Sequence, residues 1–148
     1  FYKETSKVLI AHNAMVNRLM GDQVIALFVP RFAGKDHARV ALHAAQGLLR
    51  VTGHGDPSGP WIPVGAGIHT GVAYVGAVGA ADGVTEIAVL GSAANLCARL
   101  SSKAAAGEIL ISEESIKSGN LDVRGFESRS LELKGVGQPV SVRVMKIQ

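Results

Sequence analysis

Residues 64–79, VGAGIHTGVAYVGAVG, constrain the fold more than any other stretch. Val64, Ala66 and Ile68 alternate with Gly65, Gly67 and His69, which is the two-residue period of a strand. Thr70-Gly71 supplies a turn signal, so the stretch is expected to form a glycine-rich β-hairpin. Glycine is abundant throughout, at 18 of 148 residues. That suits a mixed sheet-and-helix domain in which backbones approach closely.

Another hairpin is expected earlier. Asn17–Met20 and Gln23–Val29 are short apolar segments around Gly21-Asp22, a pair suited to a tight turn. Val24 to Val29 is continuously apolar, so this strand is expected to be buried on both faces. Upstream, Tyr2, Val8, Leu9, Ala11 and Val16 have helical spacing, and the chain opens without Met. The expectation is a start partway through a helix, as in a processed chain or part of a longer one.

The remaining elements alternate. GKDHARVALHAAQGLLR reads as an amphipathic helix, with Asp36 at its N-cap and Val40, Ala44 and Leu48 recurring every fourth residue. VTGHGDPSGP and AADGVT read as loops and EIAVL as a strand, and Gly91-Ser92 opens a further helix. EILI is a strand, SEESIKSG a short helix capped by Ser112, and LDVRGFESRSLELKG and PVSVRVMKI are terminal strands. Hairpins among alternating strands and helices indicate an α+β fold, a ferredoxin-like α/β sandwich with a mixed, mostly antiparallel sheet.

Composition narrows the functions open to such a domain. At 148 residues the chain can bury a core as one domain without metal or disulfide support. The charge of +3 is modest and scattered, and no basic stripe with interleaved aromatics marks a nucleic-acid surface. Cys97 is the only cysteine, so no intrachain disulfide forms and a reducing, cytoplasmic setting is expected. The apolar runs are strand length, too short for a membrane span.

Few residues carry an obvious chemical signal. The five histidines lack metal-ligand spacing, no nucleophile triad can be argued from residue order, and no Gly-rich loop ends in Lys-Ser/Thr. Asp22 is the only acidic residue between Asn17 and Pro30; the plain reading is a turn residue. Asn95 and Arg99 are four apart on a helix whose other positions are small or apolar. They share a face, and asparagine is a poor helix former, so that face is either simply exposed or a contact to a ligand or partner.

Four segments in register, NRLMGDQVIALF, VGAGIHTGVAYVGAVG, AVLGSAANLCARLSSKAAAGEILIS and LELKGVGQPVSVRVM, resemble the catalytic domain of class III nucleotidyl cyclases. The resemblance runs nearly end to end and implies that residues 1–148 are such a domain, N-terminally incomplete. It implies a homodimer with two copies head to tail and shared active sites. The implied reaction is attack of a ribose 3′-hydroxyl on the α-phosphate of its own triphosphate, giving a cyclic monophosphate and pyrophosphate. Two divalent ions, Mg²⁺ or Mn²⁺, would stabilise the nucleophile and the phosphoryl oxygens.

Carried over residue by residue, Asp22 matches one of the two metal-binding carboxylates. Asn95 matches the residue that orients the ribose, and Arg99 the arginine that stabilises the pentavalent phosphate. The family's other metal-binding Asp lies on an earlier first strand, which the resemblance places before Phe1. Arg18 and Ala88 occupy the base-reading positions. Arg18 can donate to an adenine ring nitrogen and lacks the acceptor of a guanine-reading Glu, so the resemblance favours ATP, with GTP as the alternative. Glu86, on the same strand face as Ala88, is either a polar base contact or a solvated edge residue. A triphosphate-binding lysine of some members corresponds to Val136, with Lys134 one pleat away and assigned the phosphate role, the other reading being a structural or solvated lysine. Two other readings remain at this point: an inactive homologue serving as a dimerising regulatory module, and an unrelated ferredoxin-like binding domain.

Overall fold

The computed structural model describes residues 1–20, 22–79, 83 and 85–147. Helix α1 (Tyr2–Ala11) leads into strands β1 (Met15–Met20) and β2 (Gln23–Leu27). A short α2 (Pro30–Ala33) and the long α3 (His37–Val51) follow. Then come β3 (Ala66–Ile68), β4 (Tyr74–Gly79), β5 (Thr85–Leu90) and α4 (Ser92–Lys103). The chain ends with β6 (Glu108–Ser112), α5 (Glu113–Gly119), β7 (Glu127–Leu131) and β8 (Val140–Lys146).

The central sheet has the order β3-β6-β8-β7. β3 and β6 are parallel, while β8 runs antiparallel to both β6 and β7. β6 is buried at every position, as a strand covered on both faces must be. Its side chains alternate between two cores: Ile109 and Ile111 pack with Leu42, Ala45 and Leu49 of α3, and Leu110 packs with Leu100 of α4 and with Val142 and Val144. Each fully buried leucine or isoleucine here contributes about 2 kcal/mol relative to exposure. Thus α3 and α4 are seated on a common strand from opposite sides.

Several sequence expectations are corrected. Thr70-Gly71 does not turn a hairpin: β3 ends at Ile68 and pairs only with β6, and the glycine-rich hairpin is formed by β4 and β5. The reason is a long-range contact, since His69 and Thr70 bond to Ser112 and Ser115 at the start of α5 and the chain leaves the sheet there. β2 is half-buried along its length rather than buried on both faces, because it pairs with β1 and with no other described strand. Val16 belongs to β1, not to the opening helix. Of the residues between Leu121 and Gly135, only Glu127–Leu131 is strand.

The caps divide. Ser112 accepts a hydrogen bond from Ser115 N as expected, whereas Asp36 holds the N-cap position of α3 without a side-chain bond. Gly21 and, in the expected AADGVT loop, Ala80, Ala81, Asp82 and Val84 lie outside the described residues.

Candidate functional site

The site is built on α4 and on the way α4 meets β3. A Cβ at Gly67 would lie 2.5 Å from Ser101 N and 2.9 Å from Leu100 Cβ, and one at Gly65 would lie 2.7 Å from Ala105 O. Helix and strand backbones therefore touch, which no larger residue permits. Gly91 starts the helix at φ 133°, a left-handed value that suits glycine. Held on one side by β3 and on the other by Leu100 in the core, α4 has a fixed rotation about its axis. Asn95 and Arg99 consequently share the face that borders a cleft.

That cleft has a volume of about 710 Å³. Its walls are the His69–Val72 segment, the first two turns of α4, Glu114 of α5 and the Lys134–Gly137 loop between β7 and β8. Asn95, Arg99 and Lys134 thus converge on one space although Lys134 lies far from the other two in sequence. Val136 lines it too. A Cβ at Gly135 would sit 3.7 Å from an Arg99 Nη, so the guanidinium reaches across to the loop. Two cations facing a glycine-bearing loop in a confined space favour an anionic ligand with several oxygens.

The other expected residues lie elsewhere. Asp22 is exposed in the turn between β1 and β2 and does not line the cleft. Ala88 is half-buried on β5 opposite Gly76. Arg18 stands on β1 with its Cα opposite Ile25, and its side chain, like that of Glu86, lies outside the described residues. Among the described residues, no group of three or more His, Cys, Asp or Glu side chains gathers as a metal-binding set. A single exposed carboxylate does not make up a two-ion site. A second hollow, about 540 Å³ between the end of α3 and β8, holds none of the expected residues.

Sequence reasoning missed His69, Thr70 and Glu114 as cleft residues. The signal was a polar pair directly after an apolar strand run. In the sequence it reads as a turn, because strand period and glycine content suggest hairpins more readily than a strand that stops.

Comparison with known proteins agrees with this architecture. The family model described as the adenylate and guanylate cyclase catalytic domain matches residues 12–145. The crystal structure of the guanylyl cyclase Cya2 superposes with a TM-score of 0.76 at 23% identity, covering 99% of this chain and 77% of that one. The adenylyl cyclase CyaB from P. aeruginosa superposes with a TM-score of 0.71 at 26% identity, covering 99% and 79%. An uncharacterized protein, R02095 of Rhizobium meliloti (strain 1021), is 30% identical over 149 residues, covering 96% of this chain. The chain spans only 14% of that relative's length.

Proposed function

Because the chain belongs to the adenylate and guanylate cyclase catalytic-domain family, we propose that residues 1–148 are a nucleotidyl cyclase domain converting ATP to 3′,5′-cyclic AMP and pyrophosphate. The observation that carries this reading is the convergence of Asn95, Arg99 and Lys134 on one cleft. In the proposed reaction the ribose 3′-oxygen forms a bond to the α-phosphorus, the bond from that phosphorus to the bridging oxygen breaks, and the hydroxyl proton is lost. Asn95 orients the ribose through its amide. Arg99 faces the equatorial oxygens on which charge builds, and a positioned cation in a confined site stabilises that charge far more than water does. Lys134 holds the leaving pyrophosphate end as a point charge.

The adenine preference rests on Arg18, a donor where a guanine-reading acceptor would be required. Asp22 is the carboxylate that this chain offers toward the Mg²⁺ or Mn²⁺ pair the family uses. It lies outside the cleft of its own chain, which supports a head-to-tail homodimer where Asp22 of one protomer faces the cleft of its partner.

The test is a cyclase assay on the full-length protein with ATP and GTP, in Mg²⁺ and in Mn²⁺. Arg99→Ala is expected to lower kcat by on the order of a hundredfold with little change in Tm, since Arg99 is only half-buried. Binding of either nucleotide without turnover by the wild type would replace this reading with the regulatory-module one. Turnover of GTP in preference to ATP would correct the base assignment alone.

A further inference from the structure

Of the five histidines, His69 lines the cleft, and its side chain is only 7% exposed. Nδ1 lies 2.9 Å from Ser112 Oγ, Ser112 Oγ lies 3.3 Å from Ser115 Oγ, and Ser115 Oγ lies 2.8 Å from Thr70 Oγ1. A hydroxyl donates and accepts, so this chain can run in either direction. With a neutral ring, Thr70 donates to Ser115, Ser115 to Ser112 and Ser112 to Nδ1. With a protonated ring, Nδ1–H donates to Ser112 and each hydroxyl turns the other way. Both charge states keep the Nδ1 hydrogen bond without moving a heavy atom.

His54 provides the contrast. Its Nε2 accepts the Val64 amide hydrogen at 3.1 Å, and a backbone amide is a donor that cannot reverse. His69 is free to titrate in place.

The groups around the ring have opposing effects. Burial holds His69 below the ordinary imidazole range, and the Glu114 carboxylate, with Oε2 3.8 Å from Nδ1, pulls the other way. Glu114 is 60% exposed on α5, so solvent screens much of its pull. Arg99 of α4 and Lys134 of the β7–β8 loop are the other charged groups that line the same cleft. Cys97 of α4 donates to Gly67 O, and burial pushes its thiol up, so it stays neutral.

Resting on the nucleotide reading of the cleft, we propose that His69 is a proton-coupled binding residue, neutral in the unliganded cleft and protonated when a polyphosphate enters. Binding then tightens as the pH falls through the imidazole range, because the anion and the proton each favour the other.

The experiment uses inorganic tripolyphosphate and the full-length protein without divalent metal. Calorimetry in buffers of different ionisation enthalpy is compared for the wild type and His69→Asn, whose amide keeps a partner for Ser112 without titrating. The wild type is expected to take up more protons than the variant. Its affinity should gain about tenfold over the variant's between about pH 7.5 and about pH 5.5. NMR titration of the His69 ring in the wild type reads the same event without a substitution, and tripolyphosphate should move its midpoint upward. Equal proton uptake in the two proteins, or an unmoved His69 midpoint with ligand bound, overturns the proposal while leaving the nucleotide reading intact. Failure of both tripolyphosphate and ATP to bind at any pH overturns both.

Discussion

Glu108 is the residue on which the end of α4 is anchored to the sheet. Its Oε2 accepts from Ala105 N at 2.9 Å and from Arg129 Nη1 at 3.0 Å, and its Oε1 accepts from Arg129 Nη2 at 2.9 Å. The hydrogen bonds from Arg129 hold the Glu108 carboxyl below the usual carboxylate range against the opposing effect of burial. Glu108 is buried while Arg129 keeps partial solvent contact and a second carboxylate partner in Glu127, so removing the Glu108 charge leaves the guanidinium with one carboxylate in place of two. Glu108→Gln is expected to cost about 2 kcal/mol at neutral pH, measured by urea unfolding. A carboxylate with a depressed folded value contributes its stability above the unfolded value and loses it as the pH falls through the folded one. The gap between wild type and variant should therefore close as the pH falls into acid. A gap that persists there would mean that packing, not charge, accounts for the loss.

At the scale of elements, the contact of β3 with α4 sets the position of Asn95 and Arg99. Gly67→Ala places a methyl group 2.5 Å from Ser101 N, which the helix relieves only by moving away. The expected cost is about 3 kcal/mol, and cyclase activity should fall further than the folded fraction does, because the cleft face moves with the helix. Gly76→Ala on β4 is the control, since a Cβ there meets nothing within 4 Å, and it should be near neutral. Comparing thermal melts with kcat for the two variants checks both halves of the argument. Equal losses of stability in the two would show that glycine removal itself, not the helix contact, matters.

At the scale of the whole molecule, some of the exposed apolar side chains gather on β4, β5 and the edge of the cleft. Val72, Tyr74 and Leu90 are 91%, 79% and 65% exposed, Tyr74 and Leu90 sit opposite each other across β4 and β5, and Val72 borders the cleft. Exposed apolar groups of this size and grouping favour association. If the sites are shared, mixing Asp22→Ala with Arg99→Ala protomers should restore about a quarter of wild-type activity, because half of the dimers then carry one intact site. No recovery in mixtures shown to contain mixed dimers would place Asp22 and Arg99 in the same chain's site. Among the described residues no helix is long and apolar enough to cross a membrane.

The sequence alone determined the element types wherever periodicity was strong. α3 and α4 followed from three-to-four-residue spacing, the β1–β2 hairpin from two apolar runs around a tight turn, and the Ser112 cap from local hydrogen bonding. It also put Asn95 and Arg99 on one face, because helical spacing is a local property. Only the tertiary structure decided the partners. The partition of VGAGIHTGVAYVGAVG between two sheets depends on β6, about 40 residues away in sequence and parallel to β3. The position of His69 at the cleft depends on hydroxyls of β6 and α5, and that of Lys134 on a loop brought beside α4. Local spacing carries no record of such long-range contacts; they arise when apolar faces bury against one another, and the polar groups at the edges are gathered into a site as a consequence.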